Sequence, residues 1–221
     1  MFDSAKKSVH QAQDRIIAYW SRYASEYEAH QRRRLQKPGE LQAWEQVWAA
    51  ALPKTSSKVL DLGTGTGHVA MVLSGLGHEV TGIDLSTGML DEARSKARGV
   101  GNPPLFLQAE AADPPFEPET FDVLTARFVL WTIRNPQEVL HRWLKLLRPG
   151  GRLVVVDGLW FPDGLLTSAH AATDDQQRSR DFHAAYEAVL PELTLAESRD
   201  ISTFSDVIGE VGFVNVGVHE L

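Results

Sequence analysis

The 221-residue sequence predicts an α/β fold, an open and mainly parallel sheet with helices on both faces, preceded by an N-terminal helical lid. Three observations carry the prediction. Between Lys58 and Asp157 short apolar runs alternate with amphipathic segments, the pattern of parallel strands joined by helical crossovers. Upstream of these runs, apolar residues recur at three- and four-residue steps. Glycine stands at 63, 65 and 67, directly after the first apolar run, where a strand would hand over to a helix.

Taken in order, residues 5 to 52 read as helix. Ile16, Ile17, Trp20, Tyr23 and Tyr27 share one stripe, Pro38-Gly39 breaks it, and Leu41, Trp44, Val47, Trp48 and Leu52 resume it. Lys58–Leu62 is the first strand, Val69–Leu76 a helix, Glu79–Leu85 the second strand and Gly88–Arg98 the next helix. Leu105–Gln108 and Phe121–Arg127 follow as strands, then Pro136–Leu147 as a helix and Arg152–Asp157 as the fifth strand. The stretch 158–200 is mixed and polar, helical around Asp181–Val189; Phe204–Val211 reads as a last helix and Phe213–His219 as a last strand. No internal repeat or low-complexity linker divides the chain. It reads as one domain over 1–221, with a helical cap (1–52), a ligand-binding core (53–157), a variable segment (158–200) and a closing helix and strand (201–221).

Composition narrows the function. Hydrophobic residues at 43% and charged residues at 23% are ordinary for a globular chain. The net charge of −7 repels phosphate backbones, so nucleic acid is not expected as a partner; the basic run Arg32-Arg33-Arg34 reads as a solvated helix face. With no cysteine there are no disulfides, no thiolate metal ligands and no Cys nucleophile. The start, MFDSAKKSVHQAQDR, lacks a signal-peptide core, and no apolar run approaches the ~18 residues of a membrane span. A cytoplasmic protein with no membrane partner is expected.

The glycine stretch, VLDLGTGTGHVA, sets the ligand problem. Ligands of open α/β sheets sit beyond the carboxyl ends of the strands, and a turn bare of side chains lets one approach the backbone. A dinucleotide fingerprint would need glycine at 68, where His68 stands; a phosphate loop would need lysine, which the stretch lacks. Asp61, two residues before the first glycine, suits an ammonium or sulfonium group better than a phosphate. Asp84, about 20 residues after the loop at the end of the second strand, is placed to take ribose hydroxyls. Leu85 and Met89 beside it could flank an adenine.

These residues resemble the first two motifs of class I S-adenosylmethionine-dependent methyltransferases, Asp61-Leu62-Gly63-Thr64-Gly65-Thr66-Gly67 and Gly82-Ile83-Asp84-Leu85-Ser86. The likeness continues through Glu110-Ala111 with Pro115-Phe116, Phe121-Asp122-Val123-Leu124, and Leu147-Arg148-Pro149-Gly150-Gly151. Tyr19-Trp20 with Tyr27-Glu28 is similar to the N-terminal signature of the small-molecule, quinone C-methyltransferase group. The resemblance implies a Rossmann-like fold and S-adenosyl-L-methionine as cofactor. It implies that Asp61 and the Gly63 backbone meet the methionine part, that Thr64 belongs to the cofactor-binding set, and that Gly65 and Gly67 permit the turn. Asp84 would bind the ribose, Leu85 and Met89 the adenine faces, and Glu110 and Ala111 the adenine edge. Arg127 would close over the methionine and sulfonium, with Tyr19 and Tyr27 as lid tyrosines; packing of a helix stripe is the competing reading of both tyrosines.

A sulfonium methyl is already activated, so the reaction needs in-line geometry more than a catalytic side chain, and no catalytic residue is assigned. His30, Asp157, His170 and His183 are the candidates for a base. No metal-ligand spacing is found. Phe128, Trp131, Trp160 and Phe161 follow strands four and five, where they would line a pocket for an aromatic or hydrophobic small-molecule acceptor; core packing is the competing reading. The absence of cysteine argues against arsenite as acceptor. The alternatives are a catalytically silent cofactor-binding protein and a methyltransferase acting on RNA or protein; a nicotinamide oxidoreductase is disfavoured by His68. In the resembled family the sheet ends in a β-hairpin, whereas this sequence ends after the hairpin's first strand. That leaves a truncated sheet, a sheet closed differently, or an edge supplied by a homodimer partner.

Overall fold

A run such as Val59–Leu62 can be buried on both faces only at the centre of a sheet, and the computed structural model places it there. Residues 2–164 and 176–221 are described, with side chains from residue 11 onward. Five strands form one sheet of order β3-β2-β1-β4-β5: β1 (Lys58–Leu62), β2 (Glu79–Asp84), β3 (Leu105–Gln108), β4 (Phe121–Arg127) and β5 (Leu147–Val156). All the pairings are parallel, with Leu60 opposite Thr81 of β2 and Leu124 of β4. Val59, Leu60, Leu62, Val123 and Leu124 are fully buried, as a double-sided parallel sheet requires. Between β1 and β2 lies α4 (His68–Gly75), and between β2 and β3 lies α5 (Thr87–Ala97); α6 (Pro136–Leu146) leads into β5.

The chain divides into two compact units. The sheet unit comprises Trp20–Arg127 and Lys145–Val156. It holds the five strands and two N-terminal helices, α2 (Ala24–Leu35) and α3 (Glu40–Ala51). The second, aromatic unit comprises Met1–Tyr19, Phe128–Leu144 and Asp157–Leu221, including α7 (Gln176–Tyr186), α8 (Ser202–Glu210) and most of α1 (Phe2–Arg22). The chain passes from one unit to the other at Tyr19–Trp20, Arg127–Phe128, Leu144–Lys145 and Val156–Asp157, with Arg127 and Val156 the last residues of β4 and β5.

Three expectations are corrected. Phe213–His219 is not a strand: Asn215 adopts φ 56, which breaks an extended run, and Val214, Val216 and Val218 stand exposed without ladder partners. Among the described residues β5 is therefore the sheet edge. The helix expected around Asp181–Val189 lies earlier, because Pro191 cannot continue a helix; α7 ends at Tyr186 and a single 3₁₀ turn covers Leu190–Glu192. The N-terminal helical region breaks at Tyr23 as well as at Pro38-Gly39, since Tyr23 leaves helical geometry with φ −99 and ψ 12.

Candidate functional site

Gly63, Gly65 and Gly67 all adopt left-handed backbone, with φ of 60, 55 and 78. This conformation costs an L-residue about 1–2 kcal/mol, so the three glycines let the chain leave β1 and enter α4 across the five residues 63–67. They differ in surroundings. A Cβ on Gly67 would lie 2.8 Å from the Phe106 ring and 2.9 Å from Ala93, so this glycine seats α4 against the sheet. A Cβ on Gly65 would meet nothing within 4 Å, so the turn presents bare backbone to open space at that position.

Two carboxylates shape the turn. Asp84, at the end of β2, accepts the Gly65 N–H on Oδ2 at 2.9 Å and the Ser86 N–H on Oδ1 at 2.8 Å. Each oxygen is thereby aimed while keeping a lone pair for a ligand hydroxyl. Burial raises its pKa, against the backbone N–H groups that favour the ion. Asp61 is 1% exposed. Its Oδ2 accepts from Thr64 Oγ1 at 2.6 Å and its Oδ1 from Thr125 Oγ1 at 2.7 Å, which binds the turn to β1 and β4 together. Burial pushes Asp61 up to about 6, with both hydroxyls and the Arg127 charge opposing. Next to β2, Ala109 N–H donates to the Asp84 carbonyl at 3.1 Å, which brings exposed Glu110 and half-buried Ala111 to the end of β3. Leu85 is half-buried, whereas Met89 is 3% exposed and its amide is capped by Ser86 Oγ at 3.2 Å.

Arg127, the last residue of β4, carries its guanidinium 4.8 Å from the centre of the Trp44 ring and is hydrogen-bonded to Tyr27. Trp44 in turn meets His68 edge-on at 6.3 Å. Burial, with Arg127, Lys96 and Arg34 nearby, holds His68 down at about 3, so its imidazole is neutral. His68 Nε2 and Thr66 Oγ1 are buried without a hydrogen-bond partner among the described residues. Tyr27, Asp61, the three glycines, Thr64, Asp84 and Arg127 all belong to the sheet unit. Tyr19 belongs to the aromatic unit, where its hydroxyl accepts from Arg178 Nε at 3.4 Å and its ring meets Phe182 edge-on.

The aromatic unit gathers rings from three stretches of chain beside Tyr19. Trp131 packs on Trp160, Phe161 and Tyr186; Phe128 meets Trp160 edge-on at 4.8 Å; Phe182 meets Phe161 and Tyr186. Asp157 joins them. Its Oδ1 accepts from Trp160 Nε1 at 2.6 Å and the Gly158 amide at 3.0 Å, and its Oδ2 accepts from the Trp131 amide at 3.2 Å. Burial raises Asp157 to about 6. Phe128, immediately after Arg127, holds φ 61, strain of the kind that clusters at working sites. Of the candidate bases, Asp157 and His183 lie in this unit, the Nε2 of His183 buried without a partner among the described residues. His30 is exposed on α2, and His170 lies outside the described residues.

Trp44, Thr125 and His68 were not assigned from sequence. Thr125 carried a signal, a hydroxyl between the buried apolar residues Leu124 and Ala126 of β4. Trp44 carried none, since its stripe on α3 reads as ordinary packing.

A methyltransferase domain family matches residues 60–155. The ubiquinone/menaquinone biosynthesis C-methyltransferase UbiE of Ruegeria sp. (strain TM1040) is 31% identical over 185 residues, which covers 76% of this chain and 73% of that relative. The chain belongs to the class I S-adenosylmethionine-dependent methyltransferases. Within that family it is also similar to the phosphatidylethanolamine N-methyltransferase of Cereibacter sphaeroides, 31% identical over 160 residues, covering 70% of this chain and 78% of the relative. In fold it is similar to phosphoethanolamine N-methyltransferase 2 of Haemonchus contortus, at 21% identity and a TM-score of 0.59 over 80% of this chain and 38% of that one. The chain spans about half the length of other curated relatives that it matches, 48% to 50% of them. No helix among the described residues is long and apolar enough to cross a membrane.

Proposed function

We propose that this chain moves the methyl group of S-adenosylmethionine to a small apolar acceptor. One observation carries the reading: Gly65 offers open space over bare backbone while its N–H aligns the Asp84 carboxylate beside that space. The residues fit the cofactor. Asp84 would take the ribose hydroxyls, Leu85, Glu110 and Ala111 the adenine, and Gly63, Thr64 and Gly65 the methionine part. Asp61, 1% exposed, stands behind this set and steadies it through its bonds to Thr64 and Thr125. When bound, the cofactor supplies a methyl already activated on a sulfonium. The work left to the chain is positioning and exclusion of water, which can supply ~7–11 kcal/mol of a barrier. Arg127, steadied by Trp44 and Tyr27, would close the methionine end.

The ring cluster of the aromatic unit supports an aromatic or hydrophobic acceptor. Asp157 and His183 would take a proton from an acceptor that arrives protonated. General-base help of that kind is worth ~10²–10⁴-fold. The cytoplasm as compartment, and a homodimer paired through the β5 edge, belong to the same proposal; light scattering of a concentrated solution tests the second. The central test is calorimetric titration with S-adenosylhomocysteine, followed by a screen of hydroxylated aromatics and amines scored by demethylated cofactor. We expect saturable one-site binding and at least one acceptor that turns over. No binding overturns the cofactor assignment; binding without turnover of any metabolite in a broad screen leaves a cofactor-binding protein.

A further inference from the structure

Trp44 of α3 belongs to no cofactor motif of the sequence, yet its ring meets residues at both ends of the glycine turn. Ala126 of β4 stands opposite Leu62 of β1, so Arg127, one residue on, lies level with Gly63, where the turn begins. The Arg127 guanidinium lies over the Trp44 ring, 4.8 Å from its centre. The same ring meets His68 edge-on at 6.3 Å, and His68 is the first residue after the turn.

The helix that carries this indole is anchored before and after it. Trp48, one turn on along the same face, is fully buried. One turn back, Glu40 pairs with Arg34 of α2 at 3.1 Å. Between these anchors Trp44 is half-buried. Arg127 has two further restraints, a side-chain hydrogen bond with Tyr27 of α2 and the charge of buried Asp61. Burial also strips water from its guanidinium, the condition in which a cation is held most strongly over an indole. An arginine without such a seat samples many rotamers. Seated, it presents its planar fork in one direction, and that fork matches the two oxygens of a carboxylate.

With S-adenosylmethionine as the ligand of the turn, we infer that Trp44 is a positioning residue, which fixes the Arg127 guanidinium to receive the α-carboxylate of the cofactor's methionine part. Trp44 acts through Arg127 and governs the amino-acid end of the ligand alone. The nucleoside end is left to Asp84 and its neighbours, which lie across the turn on β2.

The test titrates the full chain with two ligands by calorimetry: S-adenosylhomocysteine, and S-adenosyl-3-thiopropylamine, the same molecule without its carboxylate. Trp44→Leu should weaken S-adenosylhomocysteine about tenfold, the scale of a desolvated cation–π contact, and keep the decarboxylated ligand within twofold. The second value also shows that the variant folds. Trp44→Phe keeps a ring under the guanidinium and should lose less than threefold. Arg127→Gln should weaken S-adenosylhomocysteine at least as much as Trp44→Leu does. Adding Trp44→Leu to Arg127→Gln should then cost less than twofold more, because the two residues act as one unit. Equal weakening of both ligands by Trp44→Leu, undiminished affinity for S-adenosylhomocysteine, or losses that add in the double variant each overturn the role of Trp44 alone. A wild-type chain that binds neither ligand overturns the cofactor assignment, and this role with it.

Discussion

In the sheet unit the candidate chemistry rests on main chain, whereas in the aromatic unit it rests on side chains brought from distant stretches. Gly63, Gly65 and Gly67 are consecutive alternate positions, and their partner Asp84 lies one strand away. The rings around Asp157 come from residues 128–131, 157–161 and 182–186. The first arrangement tolerates almost no substitution at the turn, because backbone geometry is at stake. The second is held by many pairwise contacts, each of which is individually modest.

The sharpest way to break this comparison lies within the turn itself. Gly67→Val should lower the free energy of unfolding by about 2–5 kcal/mol, combining left-handed strain with overlap against Phe106 and Ala93. Gly65→Val faces open space and should lose only the strain, about 1–2 kcal/mol, yet abolish S-adenosylhomocysteine binding. Denaturant titration and calorimetry on both variants separate folding from binding; equal loss of stability would mean that the two glycines do the same job. Asp84→Ala should weaken binding of the same ligand by ~1.5–3 kcal/mol, the size of lost bonds to a charged group. Unchanged affinity would remove the ribose assignment.

A third prediction concerns pH. Asp61 rises from 3.8 to about 6 because burial disfavours its charge. Between those values the folded chain holds a proton that the unfolded chain has lost, so this group makes stability fall as pH rises through the window. Relative to Asp61→Asn, the wild type should therefore gain about 1–2 kcal/mol when pH drops from neutrality to about 4. Denaturation of both proteins across that range checks the sign; a relative loss at low pH would show that the ionised form is the one favoured. The smallest effect is expected in the aromatic unit. Trp160→Phe keeps a ring but removes the 2.6 Å bond to Asp157, and should cost about 1 kcal/mol of stability. Methyl transfer should slow while cofactor affinity stays within twofold; a matching fall in affinity would tie this residue to cofactor binding instead of the acceptor.

What was legible beforehand follows the same division. The first four strands stood within one residue of their expected bounds, β1 and β4 because buried strands must be nearly continuous apolar runs; β5 begins at Leu147, five residues before the expected Arg152, in a polar stretch that carries no such run. The glycine turn and Asp84 were readable because local backbone demand restricts residue type. Phe213–His219 misled because alternating valines satisfy a strand pattern, and only the absence of a neighbouring ladder, with Asn215 left-handed, denies it. Asp61 was expected at the methionine part of the ligand; what the sequence did not disclose is its bonding, since the hydroxyls of Thr64 and Thr125 each donate to one of its oxygens and Thr125 lies 64 residues away.

The amino-acid order alone determined the parallel α/β sheet, the bare turn after β1 and the acid at the end of β2, since periodicity and glycine conformation act over a few residues. The tertiary structure decided which polar atoms are spent and which are left over: Asp61 bonded to two threonines, Arg127 seated on Trp44, His68 buried with an Nε2 that has no partner among the described residues. Burial and pairing depend on residues far apart in sequence, and they come into being only when the chain has closed around them.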